Sequence, residues 1–237
     1  MRVLRGHEPR PEADRAHTAA LLAGASDGTP GLRVWTPPRQ VAFGRRDARE
    51  PGFDRATRLA ADRGFAPIER DVGGRAVVYP GDTVAFAHAI PLGGDRNPGS
   101  ITERYERATE TTREALRDTG ADVSPGEPAA AFCPGGHSVR VAGGGKVAGI
   151  AQRVRGDAAL VAGCLVVTSD DAREVADATA AVYGALGVPF DPETVGSVAE
   201  AGGPEQPGVV SRALEDAFVD GPWGDDAPQV ARVDRDG

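Results

Sequence analysis

The chain has 237 residues, enough for one large domain with a sizeable core or for two small ones. Forty percent of them are hydrophobic, which excludes a disordered chain, and no run approaches the ~18 consecutive apolar residues of a membrane span. The net charge of −8, from 35 acidic against 27 basic residues, argues against nucleic acid as a partner, because that binding needs a basic footprint. High acid content with almost no lysine fits a protein kept soluble in concentrated salt, and a GC-rich genome alone would also favour arginine. The segment Met1 to His7 turns polar at once and lacks the apolar core of a signal peptide, so a cytoplasmic location is expected.

In chain order, Pro11 to about Gly24 reads as a helix, with proline at its first turn and Ala16, Ala19, Ala20 and Ala23 on a small-residue face. Gly31 to Trp35 and Val41 to Phe43 are short strands separated by Pro37-Pro38. Phe53, Ala56, Leu59 and Ala60 have helical spacing, which Gly64 ends. A strand at Ala66 to Arg70 enters an Asp71-Val72-Gly73-Gly74 turn, followed by strands at Arg75 to Tyr79 and Thr83 to Ile90. Ser100 and Glu103 have capping-box spacing and start a long helix carrying Ile101, Tyr105, Ala108, Thr112 and Leu116 on one face.

Three strands then follow, Ser138 to Ala142, Lys146 to Val154 and Ala158 to Val167, divided by glycines. Thr168 or Ser169 caps a helix with Val175, Ala178, Val182 and Leu186 aligned, and a last helix covers about Val209 to Phe218. Strands in runs and helices in separate blocks indicate an α+β fold, with a mixed or antiparallel sheet flanked by helices. Residues 1–219 are expected to form one domain, and residues 220–237, which have no periodicity, a flexible tail.

Chemistry concentrates in three segments. The only lysine, Lys146, lies in Gly143-Gly144-Gly145-Lys146-Val147-Ala148-Gly149. An ammonium is a compact point charge, unlike the planar guanidinium used everywhere else in this chain. A lone lysine can be a solvated survivor, but glycines on both sides let backbone approach a ligand closely and favour a functional position. Cys133 heads the turn Cys133-Pro134-Gly135-Gly136-His137, whereas Cys164 sits in an apolar run and reads as a buried strand residue. The third segment is Arg70-Asp71-Val72-Gly73-Gly74-Arg75-Ala76-Val77, whose paired glycines can present backbone N–H groups to an anion or carbonyl oxygen, as can a plain hairpin turn. Four scattered histidines show no metal-ligand spacing, so no metal site is expected. His88, in an alternating strand, would face either the candidate site's pocket or solvent; His137, four residues past Cys133, would pair with a thiolate only as a minority reading.

Together these segments resemble the lipoate-protein ligase and octanoyltransferase superfamily, which is related to the biotin ligases. Its Arg-x-x-Gly-Gly-x-Ala-Val pattern is met by Arg70, Gly73, Gly74, Ala76 and Val77, and its Gly-x-Lys-x-x-Gly-x-x-Gln-Arg pattern by Gly144, Lys146, Gly149, Gln152 and Arg153. Phe43-Gly44-Arg45 also looks like the family's, and Cys-Pro-Gly ahead of the lysine looks most like its cysteine-dependent octanoyl amidotransferases. The resemblance runs from about Val41 to Val167 and implies a single ligase-like catalytic domain.

It implies catalytic roles for Cys133 and Lys146, with the lysine lying near the nucleophile and lowering its pKa. Arg70, Gly73, Gly74, Arg75, Ala76, Val77, Gly135, His137, Gly149 and Gln152 would bind substrate. The implied activity is transfer of an octanoyl or lipoyl group through a cysteine thioester onto a lysine of a lipoyl-domain protein, such as the glycine cleavage H protein or a 2-oxoacid dehydrogenase E2. An acyl carrier is a further expected partner, and no cofactor or membrane is needed. The alternatives are an ATP- and Mg2+-dependent ligase working through lipoyl-AMP, and a degenerate chain that only binds lipoyl domains. Two departures weigh against the ligase: Ala162-Gly163 stands where ligases commonly carry His-Gly, and the small accessory domain of some ligases cannot fit after Phe218.

Overall fold

A computed structural model describes residues 1–70, 74–93, 98–225 and 227–233. The elements run β1 (Arg2–Arg5), α1 (Pro11–Ser26), β2 (Gly31–Trp35), β3 (Gln40–Phe43), α2 (Phe53–Ala61), β4 (Ala66–Glu69), β5 (Val77–Tyr79), β6 (Val84–Pro91), α3 (Ile101–Asp118) and β7 (Val123–Pro125). They continue through β8 (Ser138–Val141), β9 (Lys146–Arg155), β10 (Ala158–Leu165), α4 (Ser169–Leu186), α5 (Pro207–Asp220) and β11 (Gln229–Arg232).

Local chemistry sets the helix starts. Glu103 N–H donates to Ser100 Oγ at 3.2 Å while Ser100 N–H donates to Glu103 Oε2 at 2.7 Å, closing the capping box that opens α3. Thr168 Oγ1 accepts from Asp171 N–H at 2.9 Å and opens α4, which stops at Gly187 with φ +68°.

Among the described residues, eight strands form one sheet in the order β11-β1-β2-β6-β10-β9-β8-β7, and three form a second in the order β4-β3-β5. β11, β1 and β2 pair in parallel and the rest of the large sheet is antiparallel; β3 pairs in parallel with β4 and antiparallel with β5. The result is an α+β fold with a mixed sheet flanked by helices. One face of the large sheet carries Val84, Phe86 and Ile90 of β6 against Leu116 of α3 and Leu214 and Phe218 of α5. The small sheet puts Val41 and Phe43 against Ala56 and Ala60 of α2 and Val175, Ala178 and Val182 of α4. Each large apolar side chain so buried stabilises by roughly 2 kcal/mol relative to exposure.

The other face of the large sheet decides where a ligand fits. There β6 presents Ala85, Ala87 and Ala89 while β10 presents Leu160, Ala162 and Cys164 in register with them. These small side chains lie under α1, whose Leu21 and Leu22 cover Ala87, Ala89 and Leu160. Short side chains on one face of adjacent strands leave unfilled space instead of a packed interior.

Two expectations are corrected here. The segment after residue 219 is not a flexible tail in its described part. α5 reaches Asp220, Trp223 is buried in the main core, and Gln229–Arg232 pairs along β1. Main-chain bonds hold that strand, Gln229 N–H to Met1 O at 2.9 Å and Val233 N–H to Arg5 O at 2.8 Å, and such bonds leave no periodicity in the side chains. Second, His88 meets neither solvent nor the space under α1. It is 1% exposed, on the same side of β6 as Phe86, with its ring edge-on to Phe218 and Trp223.

Burial pushes the His88 imidazole down to about 4, below its usual 6.5. The unfolded chain therefore takes up this proton first, and the stability contributed by the neutral ring is lost as pH falls from about 6.5 to 4. Asp171, pushed up to about 6 by burial, acts in the opposite sense, so a paired comparison is needed. The unfolding free energy of the native protein should fall by about 3 kcal/mol more than that of His88→Leu between pH 7 and pH 4. Parallel pH profiles for the two proteins would contradict this.

Candidate active site

Lys146 opens β9, and its main chain is fixed before its side chain is considered. Gly196 N–H donates to Lys146 O at 2.9 Å, and a β-carbon on Gly145 would lie 2.5 Å from the carbonyl carbon of Val195. The glycine ahead of the lysine thus admits another stretch of backbone, not a ligand as the sequence suggested. From this anchored position the side chain passes wholly into the interior, with 0% exposure.

There the ammonium donates to Glu127 Oε1 at 3.1 Å and Oε2 at 3.0 Å, to Phe132 O at 3.0 Å and to Cys133 O at 2.9 Å. The Phe132 ring lies 5.0 Å from the same nitrogen. Glu127 also accepts from Ser138 Oγ. A buried charge is tolerable only when paired and hydrogen-bonded, and Glu127 with two carbonyls meets that condition.

The two carbonyls belong to the turn that carries the candidate nucleophile. Cys133 has φ +41° and Ala130 φ +57°, a left-handed backbone that costs a residue with a β-carbon about 1 kcal/mol or more. Tyr183 steadies the turn from the other side: its hydroxyl accepts from Cys133 N–H at 2.8 Å and donates to Ala76 O at 2.9 Å. Burial raises the Tyr183 pKa, so this hydroxyl keeps its proton and its donor role.

The cation that faces the sulfur is Arg70. Its Nη2 donates to Cys133 Sγ at 3.4 Å and to Arg75 O at 2.7 Å. Burial works against the Arg70 charge, but the facing Cys133 and Tyr79 groups outweigh it and raise its pKa. Lys146 therefore reaches Cys133 through its carbonyl, and Arg70 through its sulfur. Gly74, with φ +99°, closes the same corner: a β-carbon there would lie 2.7 Å from Cys133 Sγ and 3.0 Å from Arg70 Nη2.

Cys133 opens into a cavity of about 710 Å³ between the two sheets. Its apolar wall includes Leu22, Ala42, Ile68, Val77, Ala85, Ala87, Ile150, Leu160 and Ala162. Of the residues singled out in the sequence, Cys133, Lys146, Arg70, Val77, Gly135, His137 and Gly149 line this space. Gly74 stands beside the sulfur, and Gly73 lies outside the described residues.

Three others are occupied elsewhere. Arg75 pairs with Asp47 at 3.2 Å and Glu50 at 2.8 Å, and Asp47 in turn accepts from Gly44 N–H at 2.8 Å. The Ala76 carbonyl holds Tyr183. Gln152 receives Arg104 Nε and donates to Ile101 O at 3.1 Å, tying β9 to α3. The His137 ring stacks on Tyr105 with centroids 4.2 Å apart, so its packing partner is α3 and not the sulfur.

Glu127, Tyr183 and the alanine floor were not read from the sequence. Glu127 belongs to no motif, but the alternation Ala85-x-Ala87-x-Ala89 beside Ala162-x-Cys164 was a legible sign of a strand face built to leave room.

With this geometry in view, comparison with known proteins assigns the family. The model of the lipoyl protein ligase A/B catalytic domain matches residues 11–208, and the chain belongs to that family. An octanoyl-[GcvH]:protein N-octanoyltransferase of Exiguobacterium sp. is 32% identical over 141 residues, 59% of this chain and 49% of that protein. A lipoyl-[GcvH]:protein N-lipoyltransferase of Listeria monocytogenes is 26% identical over 137 residues, 57% of this chain and 48% of that protein. The chain thus spans about half the length of these curated relatives. A crystal structure of lipoate-protein ligase A bound with ATP shares the fold at a TM-score of 0.75 and 23% identity, covering 97% of this chain and 88% of that one.

The two cysteines differ in environment. Burial pushes the Cys164 thiol up to about 11, whereas Cys133 is part-exposed with a guanidinium on its sulfur. Iodoacetamide at pH 7 should therefore modify Cys133 and spare Cys164, as read by peptide mass spectrometry. Arg70→Met should slow that modification about tenfold. Preferential labelling of Cys164 would contradict the arrangement. Gly74→Val should abolish the labelling of Cys133 without lowering the melting temperature in step, because the intruding methyls meet the sulfur and the guanidinium and not the main core.

Proposed function

We propose that this protein is a cysteine-dependent acyltransferase that moves an octanoyl or lipoyl group onto a lysine of lipoyl-domain proteins. The observation that carries this reading is that Cys133, with Arg70 donating to its sulfur, lines a cavity with an apolar wall. The names of the curated relatives support octanoylated or lipoylated GcvH as the donor and a second protein as the acceptor.

In the first step the Cys133 thiolate attacks the acyl carbonyl carbon. The bond to the donor's lysine nitrogen breaks, the nitrogen takes one proton from solvent and leaves as an amine, and a thioester remains on Cys133. In the second step the acceptor's lysine amine attacks that thioester carbonyl, an amide forms, the amine's extra proton goes to solvent, and the sulfur leaves as a thiolate facing Arg70. Opposite charge at the sulfur stabilises it as attacking and as leaving group. Lys146 and Glu127 hold the turn so that the sulfur meets the cavity in one orientation, which is the entropic part of the rate.

The ATP-dependent reading finds less support. The Lys146 ammonium, which would hold an adenylate phosphate, is already saturated by Glu127 and two carbonyls. The transferase reaction needs no cofactor.

Incubation with an octanoylated lipoyl domain should give an acyl adduct on the protein by intact mass, lost in Cys133→Ser, and label should then appear on a second lipoyl domain. Transfer that survives Cys133→Ala, or that requires octanoate plus ATP, would overturn the transferase reading in favour of the ligase. Lys146→Arg should lower the transfer rate ~100-fold although charge is kept, because a planar fork cannot occupy the site of a compact ammonium bonded to four oxygens. Near-normal turnover in that variant would remove Lys146 from the machinery.

A further inference from the structure

Strand register shows where the two ends of the cavity lie. Lys146 Nζ, which donates to Cys133 O at 2.9 Å, would lie 3.4 Å from a β-carbon on Gly149. Gly149 pairs with Cys164, so the Cys133 turn stands at that end of β10. The small sheet agrees. Arg70, which donates to the sulfur, follows β4, and Ile68 two residues earlier lines the cavity level with Ala42 and Val77.

From there the floor runs in cross-strand pairs: Cys164 with Ala85, Ala162 with Ala87, then Leu160 with Ala89. Both members of the first two pairs line the cavity, but of the third only Leu160 does. Ala89 is 0% exposed and is sealed with Leu160 under Leu21 and Leu22 of α1. Leu160 and Leu22 are thus where open space meets packed interior. On the β9 side the cavity continues to Arg153 and Arg155, where an apolar chain would strip water from guanidinium groups.

Cys164 to Leu160 is four residues, roughly 13 Å at the rise of an antiparallel strand. An extended eight-carbon acyl chain spans about 9 Å, its bond to sulfur adds about 2 Å, and the terminal methyl stands about 2 Å inside its contact surface. Eight carbons therefore fill this distance, and ten overrun it by about 2.5 Å.

We propose that Leu160, closed off by Leu22, is the specificity-determining stop that limits the acyl chain to about eight carbons, and that Ala162 keeps the way to it open. This inference rests on the acyltransferase reading of the same cavity. A methylene that finds an apolar site adds about fourfold in affinity. A ninth and tenth carbon find Leu160 and Leu22 in their place and add nothing.

Dissociation constants of the full chain for hexanamide, octanamide and decanamide are measured by calorimetry, beside transfer from lipoyl domains acylated with the same chains. Native affinity should rise from hexanamide to octanamide and no further. Leu160→Ala should bind decanamide about tenfold tighter than octanamide, and Leu22→Ala, which opens the same stop from α1, should do so even where the first variant fails to fold. Ala162→Leu, which blocks the path midway, should weaken octanamide about tenfold. A native affinity still rising at decanamide, or native profiles in opened variants that melt cooperatively, overturns the stop. Octanamide binding within twofold of native in Ala162→Leu overturns the path along β10. The expected shifts in proteins that transfer no acyl group support the stop and refute the transferase reading alone.

Discussion

The ammonium of Lys146, buried and bonded to Glu127 and to the carbonyls of Phe132 and Cys133, is the interaction on which the site depends. A turn with two left-handed non-glycine residues is strained, and something must over-determine it. The lysine does so from within by drawing two successive carbonyl oxygens toward one point charge. Glu127 makes that possible, because an unpaired charge at this depth would carry a large desolvation cost. The chain uses arginine at every other cationic position, and the geometry gives the reason for the exception: four acceptors converge on one nitrogen, with a phenyl ring close by.

Around this anchor the site divides its labour. Tyr183 fixes the amide of Cys133, Lys146 its carbonyl, and Arg70 its sulfur. Three elements far apart in sequence therefore hold one residue by three different atoms, which leaves Cys133 little conformational freedom. Gly44 and Gly74 let these layers approach: a β-carbon on Gly44 would fall 2.0 Å from Gly74 O, and one on Gly74 would fall against the sulfur. Arg75 belongs to this support, clamping Asp47 and Glu50 at the base of the Gly44 turn. A conspicuous arginine beside a glycine pair thus serves the frame of the site instead of its ligand.

The cavity is a property of two sheets and not of a motif. Ala85, Ala87 and Ala162 on the large sheet face Ala42, Val77 and Ile68 on the small one, and the space between them has an extended, largely apolar wall. Its opposite face carries Phe86 and His88 into a well-packed core. The same strand, β6, is therefore small on the side that lines the cavity and large on the side that packs into the core. That asymmetry is legible along residues 84–90 once the alternation is read as two separate lists.

The sequence by itself determined the helix cap at Ser100, narrowed the cap of α4 to Thr168 or Ser169, and gave most strand and helix spans, the α+β class and the order of the three glycine-marked segments. These rest on local chemistry: a hydroxyl two or three residues from an amide, or a period of side chains along a few turns. Tertiary structure alone decided that Lys146 meets Glu127, 19 residues away, and that Arg70 meets Cys133, 63 residues away. It also decided that His88 faces the helices, that Gln152 serves α3, and that Gln229–Arg232 joins the sheet. Period-two alternation states that a strand has two faces, but not which layer each will meet. Backbone pairing at an edge leaves no mark in the side chains, and a charge finds its partner only when register brings distant strands together.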